Sequence, residues 1–174
     1  IIFGAGKIAE AVSYFFNRDS EYDIKAYIVD DLYAKFDTFL EKPVIKLSLV
    51  EEKFPTTEYT VFVAVGYQGI NQVRTAKFEY FKSAGYSFAS YVSPKVEGDF
   101  TFGENTIIMD YAMIQPRVSF GNNVFVWGGA MIGHHTVISD HVWLTGGCLV
   151  GGVTHIGEGS FIGLGTMIGQ EVTI

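Results

Sequence analysis

The chain has 174 residues, a net charge of −7 and a hydrophobic content of 48%, which suffices for one or two domains with a buried core. It contains no apolar run of the about 20 residues that span a bilayer, so a membrane partner is excluded. Arg117 is the only basic residue after residue 95, where seven acidic residues occur, and this argues against nucleic acid as a partner. A single cysteine rules out an internal disulfide and fits a reducing, cytoplasmic location.

The first predicted element is a strand–turn–helix unit. Ile1 to Phe3 is an apolar strand, Gly4-Ala5-Gly6 is a glycine turn, and the spacing of apolar residues predicts a helix from Lys7 to Phe16. Because the backbone N–H groups at such a helix N-terminus suit a phosphate, Gly4, Ala5 and Gly6 are candidate substrate-binding residues. The turn lacks the third glycine of the dinucleotide fingerprint, so a tight turn without a ligand is the alternative.

A second predicted strand, Ile24 to Val29, ends in the two carboxylates Asp30 and Asp31. At this end of the second strand of an α/β sheet, such acids commonly contact a ribose or a base. Solvated acids that cap a helix are the alternative. Residues 32–59 show no regular pattern.

Further strands and a helix complete this half of the chain. Thr60 to Val65 is an apolar strand that ends in Gly66 and Tyr67, a helix is predicted from Asn71 to Ala84, and Tyr86 to Val92 is a last strand. The alternation of strands and helices predicts a small parallel α/β domain, Rossmann-like in organisation, over residues 1–93.

Residues 94–174 follow a repeat of six residues. Four residues after each large apolar residue stands a small or branched one, such as Ala112, Ala130 or Cys148, except for Phe100 at the first position. A period of six fits neither a helix nor a free strand, but it is typical of a β-solenoid. The large apolar positions are Val96, Phe102, Ile108, Ile114, Phe120, Val126, Ile132, Ile138, Leu144, Val150, Ile156, Ile162, Ile168 and Ile174.

This repeat resembles the hexapeptide repeat of the left-handed parallel β-helix acyltransferases. With the α/β domain before it, the chain resembles nucleotide-sugar acetyltransferases of the bacillosamine N-acetyltransferase and sialic acid O-acetyltransferase type. The local matches are Gly4-Ala5-Gly6, Tyr27 to Asp31 and Ala64 to Tyr67. The resemblance implies coils of three sides and 18 residues, a homotrimer, acetyl-CoA as co-substrate, and a nucleotide-linked amino sugar held by the N-terminal domain at Gly4, Ala5, Gly6, Asp30, Asp31, Gly66 and Tyr67.

Residues one coil apart should stack, and two of the three outward columns are apolar. Ladders of this size are larger than a soluble monomer normally exposes, so we expect other copies of the chain to cover both. The alternative is that the N-terminal domain covers one of them. The two apolar columns are Ile107, Phe125, Trp143 and Phe161, and Met113, Met131, Leu149 and Met167.

His134 occupies a turn of the repeat, where a histidine by itself is unremarkable. The segment Met131 to His134 matches the turn that carries the general base of the family, so the resemblance implies this role for His134. An imidazole can accept the proton that an amine loses in acyl transfer. One coil later stands Gly152, whose N–H the resemblance assigns to the thioester carbonyl, and the backbone near Leu164 would line the pantetheine arm. Simple turn geometry is the alternative for Gly152.

Several positions depart from the family or leave alternatives open. Ile8 stands where many relatives have a histidine that reaches the sugar, so the identity of the sugar stays open. His135 stands where many relatives have an acid that orients the amine, and Asp110 or Asp140 would serve instead from an adjacent subunit.

Metal and thiol chemistry are not indicated. A hexapeptide carbonic anhydrase needs two histidines five positions apart among its zinc ligands, and the four histidines of this chain contain no such pair. Cys148 belongs to the small inward series and is expected to pack in the core.

The sequence therefore predicts an acetyl-CoA-dependent N-acetyltransferase of a nucleotide-linked amino-deoxysugar, in bacterial surface glycan synthesis. The alternatives are an O-acetyltransferase of a sialic-acid-like sugar and a non-catalytic nucleotide-binding trimer. The chain begins within an apolar strand and ends in mid-repeat at Ile174, so we expect further residues at both ends. Residues 118–174 contain no Lys or Arg, and a following segment would supply cations for the phosphates of CoA.

Overall fold

The computed structural model describes all residues, 1–174, and consists of an α/β unit followed by a parallel β-helix. The helices are α1 (Lys7–Asp19), α2 (Val50–Lys53) and α3 (Gln72–Ser83). The strands of the α/β unit are β1 (Ile2–Phe3), β2 (Tyr27–Val29), β3 (Thr38–Phe39), β4 (Lys42–Lys46), β5 (Thr60–Val63) and β6 (Ser87–Phe88). None of the helices has both the length and the apolar character needed to cross a bilayer.

The α/β unit is built on one six-stranded sheet, in the order β3-β4-β2-β1-β5-β6. Only β3 and β4 pair antiparallel; β1, whose two residues are buried, pairs in parallel with β2 and with β5. Helix α1 buries Ala9, Val12 and Phe16, at the spacing of one helical face. The predicted strands and helices are therefore present, with ends that differ by a few residues, and the irregular segment 32–59 contains β3, β4 and α2.

The last strand predicted for this unit, Tyr86 to Val92, is divided between the two halves of the molecule. Its first part, β6, pairs with β5. Its second part, β7 (Tyr91–Val92), pairs instead with Ile107–Ile108 of the β-helix. The β-helix ladder thus begins before Val96, where the repeat first becomes visible in the sequence.

The β-helix consists of strands of two or three residues that pair in parallel with the strand one coil away. Phe125 pairs with Ile107 and with Trp143, so one coil is 18 residues, as predicted. The three sheets of this helix confirm the predicted solenoid and are consistent with a left-handed β-helix. Its other strands are β8 (Phe100–Thr101), β9 (Ile107–Ile108), β10 (Met113–Ile114), β11 (Val118–Phe120), β12 (Phe125–Val126), β13 (Met131–Ile132), β14 (Val137–Ile138), β15 (Trp143–Leu144), β16 (Leu149–Val150), β17 (His155–Ile156), β18 (Phe161–Ile162) and β19 (Met167–Ile168).

The inward residues of the repeat form the core of the β-helix. A cluster of 17 buried residues contains both the large series, such as Ile132 and Ile156, and the small series, such as Ala130 and Cys148. Cys148 is fully buried, and burial raises the pKa of its thiol to about 11. The prediction that Cys148 packs in the core is confirmed.

Each corner of the β-helix turns through the same backbone geometry. The second residue of every corner from residue 105 onward has a positive φ, a conformation that glycine and asparagine adopt at low cost. The first corner residues define three edges: the His134 edge (Pro116, His134, Gly152, Gln170), the Leu164 edge (Asp110, Gly128, Gly146, Leu164) and the Asp140 edge (Glu104, Asn122, Asp140, Glu158).

One of the two apolar ladders is buried, and the other is exposed to solvent. Ile107, Phe125 and Trp143 are buried, because the α/β unit packs on their sheet; Phe62 lies against Phe125 with ring centroids 5.7 Å apart. The expectation that other copies cover this ladder is wrong, and the alternative that the N-terminal domain covers it is right. The sheet β7-β9-β12-β15-β18 is called the covered sheet below.

The second ladder is open to solvent. Met113 and Met167 are 60% and 77% exposed, and no part of the same chain lies over them. The sheet β10-β13-β16-β19 is called the methionine sheet. The remaining sheet, β17-β14-β11-β8, carries the polar column. The covered sheet therefore holds the α/β unit, while the other two sheets and the His134 edge between them are free of it.

Arg74 fastens α3 to the β-helix. Its side chain is fully buried, donates to the Asn123 and His141 carbonyl oxygens, and donates to Asn71 Oδ1 at 2.9 Å. Its guanidinium also lies 4.9 Å from the ring centroid of Phe125. A buried guanidinium with no carboxylate beside it is held here by carbonyl dipoles and aromatic faces.

We expect Arg74→Ala to reduce the free energy of unfolding by about 3 kcal/mol or more, because two buried carbonyl groups lose their donors. Urea denaturation checks this. Lys82→Ala on the same helix is the control, since exposed Lys82 pairs with Glu104 at 3.4 Å and lies 5.3 Å from the Phe78 ring centroid, and its loss should change stability by about 1 kcal/mol or less. Equal effects of the two substitutions would contradict this role of Arg74.

Candidate active site

His134 is fixed at its corner by backbone contacts on both neighbouring coils. Its N–H donates to Gln115 Oε1 at 2.9 Å, and its carbonyl accepts from the Val153 N–H at 2.8 Å. Ile132 anchors the turn in the core, while the imidazole itself is exposed. The ring is therefore held in place by its backbone and remains accessible to a substrate.

The imidazole of His134 lies directly against Gly152, one coil later. A Cβ atom on Gly152 would be 2.8 Å from His134 Nε2, so no larger residue fits there while the ring keeps its position. The N–H of Gly152 donates no hydrogen bond to any group of the protein. A nitrogen that can accept a proton and a free backbone donor are thus neighbours, which is the pairing that acyl transfer requires.

His135 contacts the same imidazole from the other side. The Nδ1 atoms of His134 and His135 are 3.1 Å apart, within hydrogen-bonding distance, and the two rings are nearly perpendicular at 87°. His135 has a φ of 58°, and its N–H donates to the Pro116 carbonyl at 3.1 Å.

The two carboxylates considered as helpers of His134 lie at other edges and have partners of their own. Asp110 accepts from Arg18 at 2.7 Å, from Lys95 at 2.7 Å and from Ser93 at 2.6 Å. Asp140 accepts from the backbone N–H of Asn122 at 2.7 Å and from its side-chain amide at 3.1 Å. Within one chain, neither carboxylate contacts His134.

A cavity of about 750 Å³ opens at the carboxyl end of the N-terminal sheet. Gly4 and Ala5 of the first turn line it together with Asp30, and so do Lys35 and Gln68, which sequence reasoning missed. Lys35 lies in the segment without a regular pattern, so no signal marked it. Gln68 directly follows the predicted strand-end pair, and this position was its only signal. The rest of the lining is mostly apolar, including Phe3 and Val29, so the cavity suits a ligand of nucleotide size that has an apolar face and a few polar groups.

The two glycines of the first turn have different reasons to be glycine. Gly4 has a φ of 117°, and a Cβ there would be 2.6 Å from the Ala64 carbonyl oxygen, so the fold itself requires it. Gly6 has open space where its side chain would be, so the fold does not exclude a larger residue there. It is the N-cap of α1, and its backbone leaves the helix N-terminus accessible.

The other predicted substrate residues are not brought into this cavity. Asp31 accepts from the Ser48 N–H at 3.1 Å and from Ser48 Oγ at 2.6 Å, and these bonds lower the pKa of its carboxyl. Asp31 therefore fastens a loop, whereas its neighbour Asp30 lines the cavity and pairs with Lys77. Gly66 is buried outside the lining.

Tyr67 lines a second, mostly apolar cavity of about 410 Å³ between the α/β unit and the Leu164 edge. Ile8, Trp127 and Leu164 also line it, and the buried Trp127 Nε1 has no hydrogen-bond partner. Trp127 was missed in the sequence because it continues an apolar strand. Leu164, at a different edge from His134, is not brought to Gly152 within one chain.

No protein-family model matches the sequence, and no curated protein is significantly similar to it. Solved structures do share its fold. The acetyltransferase domain of PglB from Neisseria gonorrhoeae FA1090 is 24% identical, with a TM-score of 0.81 over 99% of this chain and 85% of that chain. The same domain in complex with acetyl coenzyme A is aligned at 19% identity, with a TM-score of 0.61 over 99% and 93% of the two chains. A mutant of perosamine N-acetyltransferase from Caulobacter crescentus, in complex with CoA and GDP-perosamine, is 15% identical, with a TM-score of 0.57 over 99% and 90%.

These likenesses show that the chain has the fold of these acetyltransferases. The resemblance to hexapeptide-repeat sugar acetyltransferases, first seen in the repeat and the glycine turn, is thereby confirmed at the level of the fold. Any statement about activity depends on the site residues themselves.

No group of three or more His, Cys, Asp or Glu side chains in the structure is arranged to hold a metal ion.

The structural role of Asp110 can be tested by measuring how its contribution to stability changes with pH. Hydrogen bonds from Arg18, Lys95 and Ser93 hold the pKa of the Asp110 carboxyl well below its usual range. A lowered pKa stabilises the folded state above the unfolded pKa of about 4, and this stabilisation is lost as the pH falls towards the folded pKa. We expect Asp110→Asn to lower the free energy of unfolding at pH 7, and the difference from wild type to shrink below about pH 4.

Urea denaturation at pH 7, 4 and 3 measures this difference. Asp23→Asn is the control, because Asp23 is 63% exposed beside Lys25 and exposed ion pairs contribute little. A difference for Asp110→Asn that stays constant over this pH range would show that its charge is not what stabilises the junction.

Proposed function

We propose that this protein is an acetyl-CoA-dependent N-acetyltransferase that acts on an amino sugar linked to a nucleotide. The observation that carries the proposal is the contact of the His134 imidazole with Gly152, whose N–H is free. The solved structures of the same fold support it, since they are described as acetyltransferases, two of them in complex with acetyl coenzyme A or with CoA and GDP-perosamine.

The reaction is a direct attack of the sugar amine on the thioester carbonyl. His134 Nε2 accepts the proton that the amine loses as the new C–N bond forms. The Gly152 N–H donates to the oxyanion that develops on the carbonyl carbon. When the C–S bond breaks, His134 returns the proton to the sulfur of CoA. Cys148 takes no part, because its buried thiol has a raised pKa.

The N-terminal unit, residues 1–93, would act as a Rossmann-like domain that holds the nucleotide. Its cavity of about 750 Å³ lies at the carboxyl ends of parallel strands, the place where α/β sheets bind ligands. Gly4, Ala5 and Gly6 would receive the phosphates at the N-terminus of α1, and Asp30 would contact the ribose or the base. The second cavity, with Tyr67, Trp127 and Ile8, lies between the α/β unit and the Leu164 edge.

A complete site needs more than one copy of the chain. The His134 edge lies between the two sheets that the α/β unit leaves uncovered, whereas the larger cavity is lined by the α/β unit and the smaller one by that unit and the covered sheet. The exposed Met113 and Met167 provide an apolar surface for a second copy. In a homotrimer, His134 and Gly152 of one copy would meet the substrate held by the next, and Leu164 of a neighbour would line the pantetheine arm. Such an enzyme would work in the cytoplasm, in surface polysaccharide synthesis.

We expect His134→Ala to lower kcat for acetyl transfer by about 10²- to 10⁴-fold, because the amine loses its general base. The assay is thiol release from acetyl-CoA with a panel of nucleotide-linked amino sugars. His155→Ala is the matched control, since His155 is also exposed on the β-helix. Its imidazole hydrogen-bonds only to the Ser139 hydroxyl, at 3.0 Å. Thiol release that is unaffected by His134→Ala would reject the proposed site. The absence of release with every sugar would favour a nucleotide-binding trimer without catalytic activity.

The nucleotide site is tested at Gly6. The protein has no atom within 4 Å of a Cβ at this position, so Gly6→Leu should fold as well as Gly6→Ala. If phosphates lie over the helix N-terminus, the leucine side chain takes their place. We expect Gly6→Leu to raise KM for the nucleotide sugar by about tenfold or more and to leave KM for acetyl-CoA unchanged, while Gly6→Ala has a small effect. Unchanged KM values for both substrates in Gly6→Leu would place the nucleotide elsewhere.

A further inference from the structure

We propose that His135 is the positioning residue of the site: its Nδ1 accepts the Nδ1–H of His134 and thereby fixes the His134 tautomer whose Nε2 is free to take a proton. This inference rests on the proposed function, in which His134 is the base. It assigns a role to a histidine that the catalytic steps described above do not use.

The geometry of the two rings places them to share one proton. With 3.1 Å between the two Nδ1 atoms, a single proton lies between them, so one ring donates and the other accepts. The remaining nitrogen of His134, Nε2, is the atom that lies against Gly152. If His134 donates through Nδ1, this Nε2 carries a lone pair; if His134 accepts, Nε2 carries a hydrogen and cannot act as a base.

The hydrogen bond between the two imidazoles has to persist when His134 takes up the substrate proton. Once Nε2 has taken the substrate proton, His134 is an imidazolium with hydrogen on both nitrogens. Only the arrangement in which His134 donates to His135 survives this protonation, and the bond then becomes charge-assisted and stronger. The Nδ1 proton stays in place throughout, while the Nε2 proton comes from the amine and leaves to the CoA sulfur. Atoms and charge therefore balance without a further reactant.

No other group of the chain takes the role of accepting the Nδ1–H of His134. Asp110 and Asp140 lie at other edges with their own donors. On the preceding coil, the residues next to the histidine pair are Gln115 and Arg117. On the following coil they are Gly152 and Val153, and Glu171 lies one coil beyond these. Among these, Gln115 accepts from the His134 backbone N–H at 2.9 Å, and Arg117 is a donor only.

The backbone explains how His135 is held against its neighbour. Its φ of 58° turns the chain at the corner, so that consecutive side chains lie side by side. Histidine and asparagine tolerate this conformation better than most residues. Asparagine is therefore a conservative substitute, since it keeps the turn and carries an oxygen close to where Nδ1 is.

The experiment compares His135→Ala, His135→Asn and the control Glu171→Ala in the full chain. Glu171 has the same turn position two coils on, with a φ of 59°. For His135→Ala we expect kcat to fall by about 10- to 100-fold with KM little changed. His135→Asn should restore most of kcat, and Glu171→Ala should match wild type.

A readout independent of activity is the tautomer of His134 in the wild-type protein, measured by ¹⁵N NMR. The Nδ1–H form is expected in wild type and in His135→Asn, and a mixture of both forms in His135→Ala. The Nε2–H form in wild type, or equal losses in the Ala and Asn variants, would overturn the role of His135. A wild-type kcat for His135→Ala beside an inactive His134→Ala would overturn this inference alone, whereas an active His134→Ala would overturn the proposed function as well.

Discussion

Parallel pairing between residues one coil apart is the constraint on which the site depends. Each strand of the β-helix is only two or three residues long and gains its stability from the strands above and below it. The same pairing stacks the corners, so a residue at one corner lies over the residue one coil earlier. His134 and Gly152 meet for this reason alone. An imidazole on one coil and a bare backbone N–H on the next are thus placed together by the most regular part of the molecule.

The α/β unit adds an asymmetry to this regular prism. It covers one of the three sheets, buries the aromatic ladder of Phe125 and Trp143, and is fastened there by the buried guanidinium of Arg74. The methionine sheet stays exposed. The His134 edge is opposite the covered sheet, and neither cavity is lined by His134 or Gly152 of the same chain. This separation is the physical reason for proposing that neighbouring copies share the site.

The charged groups near the junction hold the fold together. Asp110 joins α1, Ser93 and Lys95, and Asp140 holds the turn at Asn122. Both carboxylates are occupied, and the side chain within hydrogen-bonding distance of the His134 ring is the second imidazole, His135. An imidazole partner differs from a carboxylate because its neutral form accepts through a single nitrogen. The pair would therefore stabilise the imidazolium of His134 without placing a fixed negative charge beside the thioester.

The sequence alone determined the periodic features of this protein. A spacing of six residues allows only a coil with short strands, so the core residues, the 18-residue stacking and the neighbourhood of His134 and Gly152 followed from counting. Gly4, Ala5 and Asp30 were placed at one cavity by the rule that parallel strands end at one edge. What only the tertiary structure decided was the partner of each surface: that the α/β unit covers Ile107 to Trp143, that Asp31 binds Ser48, and that Trp127 and Lys35 line cavities. Contacts between units depend on how surfaces fit in space, and a repeat along one chain carries no information about that fit.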